Sequence, residues 1–96
     1  MTDYDSRQLN LMIERLDAFE RKAINLGHLV SSLDGLQNAL RDVDGQWRNA
    51  FLKQWGVLED VYADALDKNL KEIPNEYIAL INRAIQEIRR LISDRV

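Results

Sequence analysis

Apolar residues recur along this chain at alternating spacings of three and four, the period of one face of an α-helix. The first stripe predicts a helix from about Asp5 to Lys22, with Asp5 or Ser6 capping its free first-turn amides. No segment has the two-residue alternation that is typical of a half-buried strand. The apolar positions of this first stripe are Leu9, Met12, Leu16, Phe19 and Ala23.

The second stripe predicts a helix that begins after Asn25, a suitable capping residue, and ends near Arg41. Gly35 interrupts it at a cost of about 1 kcal/mol relative to alanine. We interpret Gly35 as a point of close approach by a neighbouring helix, with simple tolerance as the alternative. The apolar positions of this second stripe are Leu26, Leu29, Val30, Leu33, Leu36 and Leu40.

A third helix follows the turn residues Asp42 to Gly45, with Asp44 as its candidate cap. It is amphipathic between Trp47 and Asp67. We expect it to end near Lys68 or Asn69. Carboxylates occupy the side opposite its aromatic stripe. The stripe itself comprises Trp47, Phe51, Trp55, Leu58, Tyr62 and Ala65.

The fourth helix is predicted from Pro74, at the first helical position, to about Ser93. Its seam repeats every three or four residues, as in helices that pack nearly parallel or antiparallel. Short links between the four helices favour an all-α, antiparallel, up-down-up-down four-helix bundle, with residues 1–96 as a single domain. The seam comprises Ile78, Ile81, Ile85, Ile88 and Ile92.

The composition and net charge of the chain exclude several classes of function. The 96 residues include no cysteine, which excludes disulfides, thiolate metal sites and thiol catalysis. A net charge of −3 has the wrong sign for binding nucleic acid through its phosphates. The first residues are polar, and no apolar run approaches the roughly 20 residues that span a bilayer. We therefore expect a cytoplasmic protein that binds neither nucleic acid nor membrane.

No set of residues has the pattern of a catalytic, cofactor or metal site. His28 is the only histidine, and the Glu-x-x-His element of di-iron bundles is absent. A small enzyme resembling chorismate mutase would need inward-pointing cations, whereas Arg7 and Arg15 do not share a core-facing stripe. We expect no enzymatic activity, no cofactor and no metal.

The two tryptophans allow two interpretations. Aromatic residues at helical spacing usually form the core, because they bury large areas. Alternatively, one of them is a binding anchor, since tryptophan is enriched at interface hot spots. Trp47 is the better candidate for an anchor than Trp55, because it lies in the first turn of its helix.

Carboxylates cluster in the second half of the third helix, where the helix dipole disfavours them by about 0.3 to 1 kcal/mol each. Lys68, four residues after Asp64, and Lys53 on the same face would relieve part of this cost, which leaves a solvated surface as one interpretation. The other is a surface that attracts a basic protein. The carboxylates are Glu59, Asp60, Asp64 and Asp67.

A set of residues in the second and third helices has the pattern of a known protein family. They are Ile24, Leu26, Leu29, Val30, Leu33, Gly35, Leu36, Trp47, Phe51, Trp55, Leu58, Glu59, Tyr62, Ala63, Ala65, Leu66 and Asp67. With these residues, most of the chain, from about Leu9 to Ile92, resembles a group of short, all-helical bacterial immunity proteins that neutralise toxins. The resemblance implies a cytoplasmic protein that binds a cognate toxin through an acidic surface. Glu59 and Asp67 belong to the matching pattern, whereas Asp60 and Asp64 are assigned to the surface from their charge alone.

Two interpretations of function therefore remain open. The first is an inhibitor of the immunity type, with Trp47 and the four carboxylates as partner-binding residues and a basic toxin as partner. The second is a structural or regulatory module that acts as a homodimer or within an assembly, because helical seams of this kind also pair between chains.

Overall fold

A computed structural model describes residues 2–95, and within that range the chain forms four α-helices and no strand. The bounds of these helices lie within a few residues of those predicted. They are α1 (Asp3–Glu20), α2 (Leu26–Ala39), α3 (Gly45–Asp67) and α4 (Asn75–Ser93).

The third and fourth helices pack along one another with opposite ends in contact. At one end, Trp47 in the first turn of α3 bonds Leu91 in the last turns of α4. At the other, Asp64 near the end of α3 bonds Tyr77 near the start of α4. The fourth side of the bundle is less complete, since α1 and α4 contact each other far less extensively than the consecutive pairs. The result is an all-α four-helix bundle.

Local capping explains where three of the helices begin. The side chains of Asn25 and Asp44 accept from the amides of His28 and Trp47 and so cap α2 and α3, as predicted. The prediction for α1 was wrong, because its cap is Thr2 and the helix starts at Asp3. Pro74 lies one residue before α4 and not at its first position.

One continuous core fills the space between the helices, and most members of the four predicted stripes are buried in it. Two predicted members, Ala23 and Ile78, are exposed. Five others are only partly buried: Phe19, Leu36, Trp55, Tyr62 and Ala65. Gly35 also departs from its prediction, because a Cβ atom there would meet no atom within 4 Å. Close approach occurs instead at Gly27, where a Cβ would lie 2.8 Å from the ring of Tyr62.

One end of the bundle is closed by a dense set of hydrogen bonds, and we call it the closed end. The buried carboxylate of Asp5 accepts the amides of Arg41 and Asp42, at 3.0 and 2.7 Å. The guanidinium of Arg48 donates to the carbonyls of Gln37 and Leu40, at 2.6 and 3.0 Å, and so satisfies the end of α2. Asp5 is therefore a tertiary anchor between α1 and the α2–α3 link.

Candidate functional site

The second half of α3 presents carboxylates toward solvent. Asp60 and Asp67 are exposed and lie seven residues apart, which places them on the same side of the helix about 10 Å from each other. Exposed Glu59 is adjacent to Asp60 and points about 100° away from it. We call Glu59, Asp60 and Asp67 the acidic face.

The acidic face has no compensating cations within the described part of the chain. None of its three carboxylates forms an ion pair or a side-chain hydrogen bond among residues 2–95. Lys53, which was expected to relieve this charge, is exposed and likewise unpaired there. The last turn of α3 contains no basic residue, and Asp67 lies there at the negative end of the helix dipole.

Asp64 differs from its neighbours because it is directed toward α4. It accepts a short hydrogen bond from the Tyr77 hydroxyl and pairs with Lys68 at 3.1 Å. The Tyr77 hydroxyl, and secondarily Lys68, lower the pKa of the Asp64 carboxyl. The same contact with Asp64 raises the pKa of Lys68. The predicted relief by Lys68 is thus present, and Asp64 joins α3 to α4.

Trp47 does not lie at an exposed edge. Only 5% of its surface is accessible, its ring stacks on Phe51 at 5.5 Å, and its indole N–H is satisfied by Leu91. The interpretation of Trp47 as a binding anchor was therefore wrong, and its position in the core has a physical reason: α4 covers the first turn of α3. Trp55 is the more exposed tryptophan, half-buried with its N–H bonded to the carbonyl of Val30 at 2.9 Å.

Sequence patterns missed a second surface, at the end of the bundle opposite the closed end. Leu66 and Leu70 are 61% and 38% exposed, and Ile78 and Leu80 are 41% and 44% exposed. Leu66 and Leu70 lie outside the aromatic stripe of α3, and this position was the feature of the sequence that could have indicated their exposure. We call the part of the molecule formed by the α1–α2 link, the α3–α4 link and the first turns of α4 the open end.

The described residues contain no cluster of three or more His, Asp or Glu side chains arranged to hold a metal ion. A shallow hollow between α1 and α2 is lined by Arg15, Ser31 and Ser32 together with apolar atoms of Leu11 and Leu36. No general base lies among these residues. Within residues 2–95, no helix is both long enough and apolar enough to cross a membrane.

Comparison with protein-family models, with curated proteins and with solved structures gave no match. The similarity to immunity proteins thus rests on the sequence pattern alone, and any function proposed for the chain depends on the surfaces described above.

Proposed function

We propose that this protein is a protein-binding inhibitor of the immunity type, which neutralises a basic bacterial toxin by covering it with the acidic face. The observation that carries the proposal is that neither Asp60 nor Asp67, which share one side of α3, forms an ion pair within residues 2–95. Unpaired carboxylates at the end of a helix raise the free energy of the isolated protein, and a cationic partner would remove that cost.

The proposed site is narrower than the predicted one. Trp47 is excluded from the site because its side chain is buried. Asp64 contributes less than its neighbours, because its Oδ2 already accepts from the Tyr77 hydroxyl and pairs with Lys68. Glu59, Asp60 and Asp67 remain accessible. Exposed charges of this kind act chiefly by accelerating encounter, so we expect association that weakens steeply as salt concentration rises.

Affinity capture from the source organism tests the proposal, with the full chain and two variants as bait. The first variant carries Asp60→Asn and Asp67→Asn. The matched control carries Asp3→Asn and Glu76→Gln, which removes two exposed carboxylates from other helices. We expect the wild type and the control to retain a basic protein that the first variant loses.

The captured protein must then be toxic when produced alone and harmless when produced together with this chain. Its purified form should bind the wild type with a strong salt dependence and the first variant with a weak one. Capture of the same protein by all three baits, or a captured protein without toxicity, would overturn the proposed function.

A further inference from the structure

The open end carries a largely apolar groove of about 840 Å³ that no part of residues 2–95 covers. It lies between the end of α1 and the start of α4, where those helices diverge. Two hydrophobic stripes run into it, since Ala23 continues the stripe of α1 and Ile78 continues that of α4. Its apolar lining is formed by Phe19, Ala23, Ile24, Ile73 and Ile78.

An exposed apolar projection belongs to the same end. Leu66 and Leu70 lie in the last turn of α3 and just after it, and the chain continues from them directly into groove residues 71–73. With 61% of its surface accessible, Leu66 is the most exposed large apolar side chain described. Clustered apolar exposure of this kind marks an interface, whereas single exposed residues do not.

Charges of both signs lie around the groove. Lys22, Lys71 and Glu72 line its rim and form no ion pair within residues 2–95, whereas Glu20, which also lines it, pairs with Arg89. A partner of one charge sign would leave part of these charges without a counterpart.

We propose that the open end is a dimer interface, in which Leu66 and Leu70 of each copy enter the groove of the other. A two-fold axis requires a self-complementary surface, so that a residue of one copy meets a given residue of the second and the reverse contact forms as well. The open end meets this requirement in two ways. It carries both a projection and a groove, and the unpaired charges on the rim of the groove are of both signs. This inference is independent of the proposed inhibitor function.

Sedimentation velocity of the full chain over a wide concentration range tests the dimer. We expect the wild type to dimerise, and Leu66→Glu and Ile78→Lys each to weaken the dimer by about tenfold or more, because each places a charge in an apolar contact. Both residues are exposed in the monomer, so the variants should retain helical circular dichroism and cooperative unfolding. Leu80→Lys is the matched control, since Leu80 has the same exposure on the same helix but does not line the groove.

Mixing the two variants tests the reciprocal contact itself. A heterodimer of the Leu66→Glu and Ile78→Lys chains keeps one intact apolar contact, and in the other contact the two introduced charges are opposite. The mixture should therefore dimerise where each variant alone does not. A monomeric wild type, a dimer that survives both substitutions, an equal effect of Leu80→Lys, or a monomeric mixture would overturn the proposal.

Discussion

The indole N–H of Trp47 donates to the main-chain carbonyl of Leu91 over 2.9 Å, which links the first turn of α3 to the last turns of α4. The Leu91 carbonyl has no donor from its own helix, because the amide of Arg95, four residues later, donates to the carbonyl of Ile92 instead. A tryptophan side chain thus replaces a missing helical hydrogen bond, and the same contact keeps the ring buried on Phe51.

Trp47→Phe should lower the free energy of unfolding by about 1 to 3 kcal/mol, because the Leu91 carbonyl would then be buried without a donor. Trp55→Phe is the matched control. Its acceptor, the Val30 carbonyl, lies inside α2 where a helical amide also serves it, so we expect a smaller loss. Chemical denaturation measures both values, and equal losses would show that the Leu91 carbonyl does not depend on Trp47.

Asp5→Asn should lower the free energy of unfolding by about 1.5 to 3 kcal/mol, since hydrogen bonds to a charged acceptor are worth that much. The introduced amide would direct a donor toward the amides of Arg41 and Asp42, which are themselves donors. Asp3→Asn, an exposed substitution two residues earlier in the same helix, is the control. A similar effect of the two changes would mean that the contact across 36 residues contributes nothing.

The helices could be predicted because the spacing of apolar residues is a local pattern and burial of the resulting stripe stabilises the helix. The caps at Asn25 and Asp44 followed from the same reasoning, since each accepts from an amide three residues ahead. Asp5 could not be predicted, because its partners lie in another part of the chain. Ile78 continues its seam correctly, but α1 ends before it can cover that position.

The candidate site, like the fold, could be predicted only as far as it depends on local helical spacing. Helical periodicity placed Asp60, Asp64 and Asp67 on one solvent-facing side of α3. Asp60 and Asp67 are exposed there, whereas Asp64 is only partly exposed and contacts α4. Local spacing could not show that Asp64 bonds Tyr77 of the next helix, or that α4 covers Trp47. Which carboxylates are free depends on tertiary neighbours, and so does the exposure of the open end.

Gly27→Ala and Gly35→Ala should change stability in opposite directions. An added Cβ at Gly27 would lie 2.8 Å from the Tyr62 ring, so either the ring or α2 must shift, and we expect a loss of about 1 to 3 kcal/mol. Gly35 has open space around it in a helix interior, so alanine should stabilise the fold by about 0.5 to 1 kcal/mol. Denaturation of the two variants gives both values, and a stabilising Gly27→Ala would show that Tyr62 is free to move.

Lys22 adopts a left-handed backbone conformation, with a φ of 65°, where the chain leaves α1. This conformation costs a residue with a side chain about 1 to 2 kcal/mol, which glycine avoids, although glycine loses more entropy on folding. Lys22→Gly should therefore stabilise the fold by up to about 1 kcal/mol. Lys22→Ala keeps the backbone cost and should leave stability nearly unchanged, so a stabilisation shared by both variants would assign the effect to the lost charge.

Acid should destabilise the fold through Asp44 and Asp64. The amide of Trp47 and the guanidinium of Arg95 lower the pKa of Asp44, and the Tyr77 hydroxyl and Lys68 lower that of Asp64. Since the unfolded value is about 3.9, each carboxylate stabilises the folded state above that pH. This stabilisation is lost as the pH falls from about 3.9 through the lower pKa of each carboxyl in the folded state, because in that range the unfolded chain binds more protons than the folded chain.

Free energies of unfolding measured from about pH 7 to about pH 2 should therefore fall below about pH 4 in the wild type. A variant with Asp44→Asn and Asp64→Asn should be less stable near neutral pH and should lose less stability in acid. The control variant, Asp60→Asn with Asp67→Asn, removes two carboxylates that make no ion pair within residues 2–95, and it should keep the wild-type acid response. If the control flattened the acid response as much as the first variant, the hydrogen bonds of Asp44 and Asp64 would not be its cause.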